Sequence, residues 1–342
     1  MCNIAGYVGT KQAAPILIEM MRREEGWDAG YYTGITTIHE GKLCYDKVIG
    51  DLDRLLSLTD AAQFPGTVGF LHSRSKSGGD VRYGQPFLSS NGRVSYIANG
   101  YSGAFKGTFL ESHAAEIKEL VEKGYTFSSR AEEAVGSYPI LPDGSCAHGS
   151  DIMCQSIAKN AAEGMDTAAA MEKSFCAMPA EVIGLALNLD EPDCISWART
   201  NFPMFLGYAS HGIYMATTPQ AFPEDARHVT LLNAMSCGRV YKDRFEERFF
   251  AAPPADVAPI TPRVMHACYE AICKGLEEGE KDHDQLCEIA RPFFDQAFCA
   301  PDAPLVYWIM SDLIRQGRVT VNTYRIPGVD GTTVPKFKAV MK

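Results

Sequence analysis

No stretch of this sequence approaches the roughly 20 apolar residues that span a bilayer, and its start lacks the basic leader of a signal peptide. Positive charge is also short. Against 42 acidic residues there are 32 Lys and Arg, so the net charge is −10. Nucleic-acid binders usually carry a clustered basic surface, so neither a nucleic-acid partner nor a membrane is expected. There is no glycine-rich phosphate loop with a following lysine, no internal repeat and no low-complexity segment. A CxxC knuckle is missing as well. His266, Cys268, Cys273, His283 and Cys287 crowd into one stretch, but Cys268 and Cys273 lie five apart on one predicted helix and diverge around it. No metal and no cofactor are therefore expected. What is present is an ordinary globular composition, 46% hydrophobic and 22% charged over 342 residues, enough for one large domain and a smaller one. Eleven scattered cysteines without a secretory signal read as reduced thiols, hence a cytoplasmic protein.

Residues 2–9 read as a strand and 11–24 as a helix, with Pro15 tolerable only near the helix start. A hairpin follows, turning at Glu40-Gly41. The stretches 66–74 and 92–100 are further strands, rich in β-branched and aromatic residues. Helices are predicted over 111–123 and from Ser150, with Ser150 or Asp151 as the cap. A second group of strands follows: VIGLALNL, CISWAR, MFLGYA and GIYMAT. Several strands are apolar on both faces and helices lie between two strand groups, so the pattern predicts stacked sheets covered by helices, an α+β fold. The proline-rich 251–263 reads as a boundary. It divides a domain over 2–250 from a small, mainly helical C-terminal domain over 262–342, with helices near 262–279, 283–298 and 303–316 and a closing hairpin GRVTVNTYRIPGVDG. The helix-then-hairpin order resembles winged-helix modules.

The chain opens MCNIAGYVG, with a cysteine directly behind the start methionine. Once Met1 is removed, the thiol of Cys2 lies beside its own α-amino group, whose unperturbed pKa of about 7.7–8.0 suits proton exchange near neutrality. Such a thiol can attack a carbonyl without a histidine triad. The bland alternative is a small buried hydrophobe, and position alone does not exclude it. Three later stretches meet the needs of acyl transfer. Arg74 ends the strand GFLHSR and its planar fork suits a carboxylate. Asn99-Gly100 ends YIANG, where a side-chain amide and an unhindered N–H can address one oxyanion, although Asn-Gly is also a common turn. Asp151, in HGSDIM, opens a helix and is either a cap or a cation partner.

CNIAGYVG, MRREEGWDAG, GFLHSR, ANG and SD before a helix stand in the order found in class II glutamine amidotransferases, and resemble most the glutaminase domain of glucosamine-6-phosphate synthase. The likeness covers roughly residues 2–245. It implies the four-layer αββα sandwich of N-terminal-nucleophile (Ntn) hydrolases. It also implies roles: Cys2 as nucleophile with its α-amine as base, Asn99 and the Gly100 N–H as oxyanion hole, Arg74 on the α-carboxylate of glutamine and Asp151 on its α-ammonium. The reaction implied is hydrolysis of the glutamine side-chain amide to glutamate and ammonia through a γ-glutamyl thioester, the ammonia passing to a synthase subunit or another copy of the chain. There are departures. The loop after Arg74 reads Ser75, Lys76, Ser77, Gly78 in place of a tryptophan and a threonine-histidine pair, leaving Ser77 as the hydroxyl near substrate. Ala98 replaces the histidine before Asn-Gly, Gln85 stands where HPF is usual, and Glu25 replaces an arginine. No SGGxDS loop, pyrophosphate-binding loop or pair of sugar-isomerase modules follows. The altered loop leaves two rival readings open: an amidase on another amide, and a non-catalytic amino-acid-binding protein.

Overall fold

Two sheets, each polar along its strands' hydrogen-bonding edges and apolar on both faces, form the centre of the molecule. The computed structural model describes residues 1–76, 78–101, 109–294 and 299–342. The elements run β1 (Asn3–Gly9), α1 (Ala13–Glu24), β2 (Tyr32–His39), β3 (Lys42–Ile49), α2 (Leu52–Leu58), β4 (Val68–Arg74), β5 (Phe87–Leu88) and β6 (Val94–Tyr101). Then come α3 (Leu110–Glu122), α4 (Gly149–Ala162), α5 (Thr167–Ala177), β7 (Glu181–Asn188), β8 (Ile195–Arg199), β9 (Phe205–Ala209) and β10 (Gly212–Ala216). They continue as β11 (Arg227–Leu231), β12 (Ser236–Val240), β13 (Phe245–Phe249), α6 (Pro262–Glu277), α7 (His283–Ala290), α8 (Asp302–Arg315), β14 (Val319–Pro327) and β15 (Thr333–Met341). The first sheet has the order β11-β9-β10-β1-β4-β2-β3 and the second β13-β12-β8-β7-β6-β5, while β14 and β15 form a separate antiparallel ribbon.

Three apolar layers follow from side-chain alternation along the strands. Ile4, Val8, Phe70, Ile97, Ile183, Leu185 and Trp197 fill the space between the sheets. Tyr96, Ala98 and Ala186, on the far face of the second sheet, pack under α3, α4 and α5. Ala5, Tyr7, Ile35 and Leu71, on the far face of the first sheet, pack under α1, α2 and the helices of the C-terminal segment. This is the four-layer αββα sandwich. Burial on both faces is also why β1 is apolar throughout rather than alternating. Gly6 faces the second sheet closely, since a Cβ there would lie 3.3 Å from Leu185 and 3.4 Å from Ile195.

The C-terminal helices share their core with the N-terminal part. Cys268, Ile272, Leu276, Leu286, Tyr307 and Leu313 belong to the same cluster as Ala13, Leu17 and Met20 of α1. The ribbon reaches further still. Phe337 of β15 meets Trp27 edge-on at 5.5 Å, and Arg325 of β14 pairs with the buried Asp51 that caps α2. Three details depart from the expected elements. The helix from 283 stops at Ala290, where Pro292 cannot supply the next hydrogen bond. The hairpin extends beyond Gly331 to a second strand whose Pro335 and lysines hide it from pattern reading. Neither Ser150 nor Asp151 caps α4: His148 does, its Nδ1 accepting from the Ser150 N–H at 3.0 Å. Among the described residues no helix is long and apolar enough to cross a membrane.

Candidate active site

Strand parity carries three of the candidate residues into one space. Cys2 lies two positions before Ile4, so it continues the side of β1 that faces the second sheet. Arg74 shares parity with Phe70 on β4, and Asn99 with Ile97 on β6, and both Phe70 and Ile97 face the inter-sheet gap. The strands end together there. The Cys2 N–H donates to Asn99 Oδ1 at 3.0 Å, and Cys2 Sγ lies 3.9 Å from Ser75 Oγ. Asn99 Nδ2 is buried without a hydrogen-bond partner. A buried amide N–H2 with nothing to donate to is costly unless a ligand oxygen completes it.

Arg74 is buried, 6% exposed, with its guanidinium donating to the Tyr83 carbonyl and, at 3.1 Å, to the Tyr138 hydroxyl. It also lies over the Tyr32 ring at 5.5 Å. Cys2, Arg74, Ser75, Lys76 and Gly100 line a cavity of about 340 Å³. Its other walls are Gln85, Ala98, His113, Tyr138, His148, Gly149 and Ser150, with an apolar side of Ile117, Ile152, Met153, Met178 and Val182. Ser77 lies outside the described residues.

Asp151 is fully buried but is not among the lining residues. Its Oδ2 accepts from the Ser128 hydroxyl at 3.1 Å and from the N–H and hydroxyl of Ser129, each at 2.8 Å; its Oδ1 accepts from Gln155 Nε2 at 3.1 Å. Burial raises its pKa, and the four donors offset only part of that rise. The carboxylate therefore ties the 128–129 turn to the first turn of α4, one residue from the cavity-lining Ser150. The structure brings together Cys2, Asn99, Gly100 and Arg74, and sets Asp151 behind them.

Sequence reasoning passed over the residues that hold β6 in place. Gln85 grips Ala98 twice, accepting from its N–H at 2.5 Å and donating to its carbonyl at 3.0 Å. His72 Nε2 donates to the same carbonyl at 3.0 Å, and desolvation presses the ring's pKa down to about 3, so it stays neutral. Together they fix the residue before Asn99. His72 on the GFLHSR strand and Gln85, in place of the family's HPF, were visible signals. His148 is likewise kept neutral, chiefly by burial and then by the nearby Arg74 charge. Glu25 also has a role that the sequence conceals. It accepts from the hydroxyls of Ser73 at 2.7 Å and Thr33 at 3.1 Å and from the Leu52 N–H at 3.0 Å, pinning β4 and α2 together.

The α-nitrogen of Met1 lies 3.6 Å from Asp28 Oδ2, and His283 Nδ1 of the C-terminal segment is 3.0 Å from the same oxygen. Of the five cysteines and histidines clustered in the sequence, only His283 and Cys287 come together, the sulfur 3.6 Å from the ring nitrogen.

Known proteins resemble the chain in sequence and in fold. The chain is 24% identical over 307 residues to glutamine–fructose-6-phosphate aminotransferase (isomerizing) of Pyrococcus horikoshii, covering 89% of this chain and 45% of that protein. It is 27% identical over 250 residues to the protein of the same name from Caldanaerobacter subterraneus, covering 72% and 36%. Its fold matches glutamine phosphoribosylpyrophosphate amidotransferase of B. subtilis at a TM-score of 0.59, with 14% identity, over 81% of this chain and 58% of that one. The chain resembles the class II glutamine amidotransferases. It spans under half the length of the curated relatives it matches. No family model matches it.

Proposed function

We propose that this chain is an N-terminal-cysteine amidohydrolase that cleaves the side-chain amide of glutamine to glutamate and ammonia. The observation that carries the reading is the buried, unpartnered Asn99 Nδ2 beside Cys2, which lines one cavity with Arg74 and Gly100. With Met1 removed, the Cys2 α-amine takes the thiol proton and the sulfur adds to the amide carbon. Asn99 Nδ2 and the Gly100 N–H stabilise the oxyanion. The α-ammonium then protonates the leaving ammonia, and water, deprotonated by the same amine, hydrolyses the thioester. Arg74 binds the substrate carboxylate as a bidentate fork. The ammonia passes to an acceptor on a synthase subunit or a second copy. In this proposal residues 2–250 carry the chemistry, 262–342 brace it, and reduced cysteines suit a cytoplasmic setting; all eleven thiols are free.

Glutamate release by Met1-trimmed protein tests the reading. Wild type should exceed Cys2→Ala by at least about a thousandfold, as expected when a nucleophile is removed; equal release would end it. One observation favours a second reading. Asp151 is engaged by four donors away from the cavity, so an α-ammonium finds no carboxylate among the described lining residues. An amide of an N-blocked amino acid fits such a site. The ratio of kcat/KM for N-acetylglutamine over glutamine separates the two: below one for a glutaminase, well above one for an N-acyl amidase.

A further inference from the structure

Behind Cys2 lies a second charged site to which the proposed reaction assigns no part. Asp28 is 7% exposed, and its Oδ2 is buried. Facing that oxygen are His283 Nδ1 at 3.0 Å and the Met1 α-nitrogen at 3.6 Å, and Asp284 closes the rim 4.0 Å from His283 Nδ1. His283 is held rigidly, stacked on Tyr307 at 4.1 Å and 24°. The two sides of the site come from opposite ends of the chain. Asp28 follows α1, whereas His283 and Asp284 begin α7. Opposing burial, the attached ammonium and His283 draw the Asp28 carboxyl down to about 2, so it stays anionic. Burial by itself would lower the pKa of the Met1 ammonium; Asp28, with Cys2 and Asp284, more than offsets it and leaves it raised. A primary ammonium is thus what this pocket already holds.

Covalent geometry sets the distance to the chemistry. Two bonds within Met1 and one peptide bond separate its nitrogen from that of Cys2, a span of at most about 4 Å. We propose that, in the trimmed chain, the position of the Met1 ammonium is a binding site for a free primary ammonium, NH4+ or a small alkylammonium, held by the Asp28 carboxylate, which His283 positions, beside the Cys2 α-amine. The proposal rests on the reading of Cys2 as the chain's first residue after trimming. It gives the C-terminal segment a part in the site: His283 supplies one wall. A cation hole of general kind would accept potassium equally well. This one presents a buried anionic acceptor to an occupant that donates N–H.

The test is thermal unfolding of enzymatically trimmed full-length protein, its mass confirmed, titrated with ammonium chloride, methylammonium chloride or potassium chloride at constant ionic strength. Ammonium should raise Tm by about 2 °C for each tenfold increase above saturation, and potassium should not. The untrimmed chain, whose own Met1 amine fills the site, should show no ammonium-specific shift, and Asp28→Asn should lose it. Because the untrimmed chain keeps the wild-type fold, the comparison stands even if Asp28→Asn fails to fold. Equal shifts with potassium, equal shifts in trimmed and untrimmed protein, or no shift with ammonium would each overturn the proposal. Glutamate release, assayed on the same samples, reports separately on the reading of Cys2. An ammonium-specific shift without hydrolysis supports the site while removing the glutaminase.

Discussion

Asn99 has one half of its amide engaged by the Cys2 nitrogen and the other half buried and unpaired. If Nδ2 meets the oxyanion, Asn99→Ala should lower kcat for glutamate release by about a hundred- to a thousandfold, with KM little changed. A loss confined to KM would assign it to ground-state binding. Glu25 supports a pH prediction. Burial raises its pKa to about 7, against the downward pull of Ser73, Leu52 and Thr33. A raised carboxyl contributes stability that is fully present below the unfolded value of about 4.3 and is lost as pH rises through about 7. Over that window the loss amounts to about 3 kcal/mol. Asp28, drawn down to about 2, acts the other way: its contribution is present above about 3.9 and disappears as pH falls through its folded value. From pH 5 to 7.5 the urea midpoint of wild type should fall relative to that of Glu25→Gln, since the neutral His72 and His148 contribute alike to both.

At the scale of elements, the loop from Glu24 to Tyr31 matters most, because it joins α1 to β2 and carries Asp28. It is clamped by the C-terminal ribbon. Gly30 has φ of +99°, and a Cβ there would come within 2.8 Å of Pro335 and 2.9 Å of Val334 on β15. Gly30→Ala should therefore cost about 1–3 kcal/mol from backbone strain alone, visible as a lowered urea midpoint with unchanged slope. Sequence reading foresaw most of these elements, since strands buried on both faces and amphipathic helices announce themselves. Glu40-Gly41 turns its hairpin as predicted, both residues with positive φ. Other features were hidden for physical reasons. No local pattern shows that His148 caps α4, because histidine is not a usual cap. Nor can spacing reveal that Asp151 is occupied by Ser128 and Ser129, which lie 23 and 22 positions away.

At the scale of the whole molecule, two sheets from distant parts of the chain meet so that the ends of β1, β4 and β6 coincide. The ordered motifs Cys2, Arg74 and Asn99-Gly100 made that convergence legible through the family resemblance, and the layers now account for it by parity. The part played by residues 262–342 was not legible. Their apolar faces predicted helices, but only packing shows Tyr307 and Leu276 in one core with Leu17, and His283 against Asp28. The account stands or falls on Cys2 acting as a free N-terminal thiol. The most direct measurement is intact and peptide mass after brief exposure of trimmed and untrimmed protein to a thiol-reactive glutamine analogue. The account predicts a single adduct on Cys2, formed rapidly only in the trimmed chain; equal labelling with Met1 in place, or an adduct on another of the eleven cysteines, would contradict it.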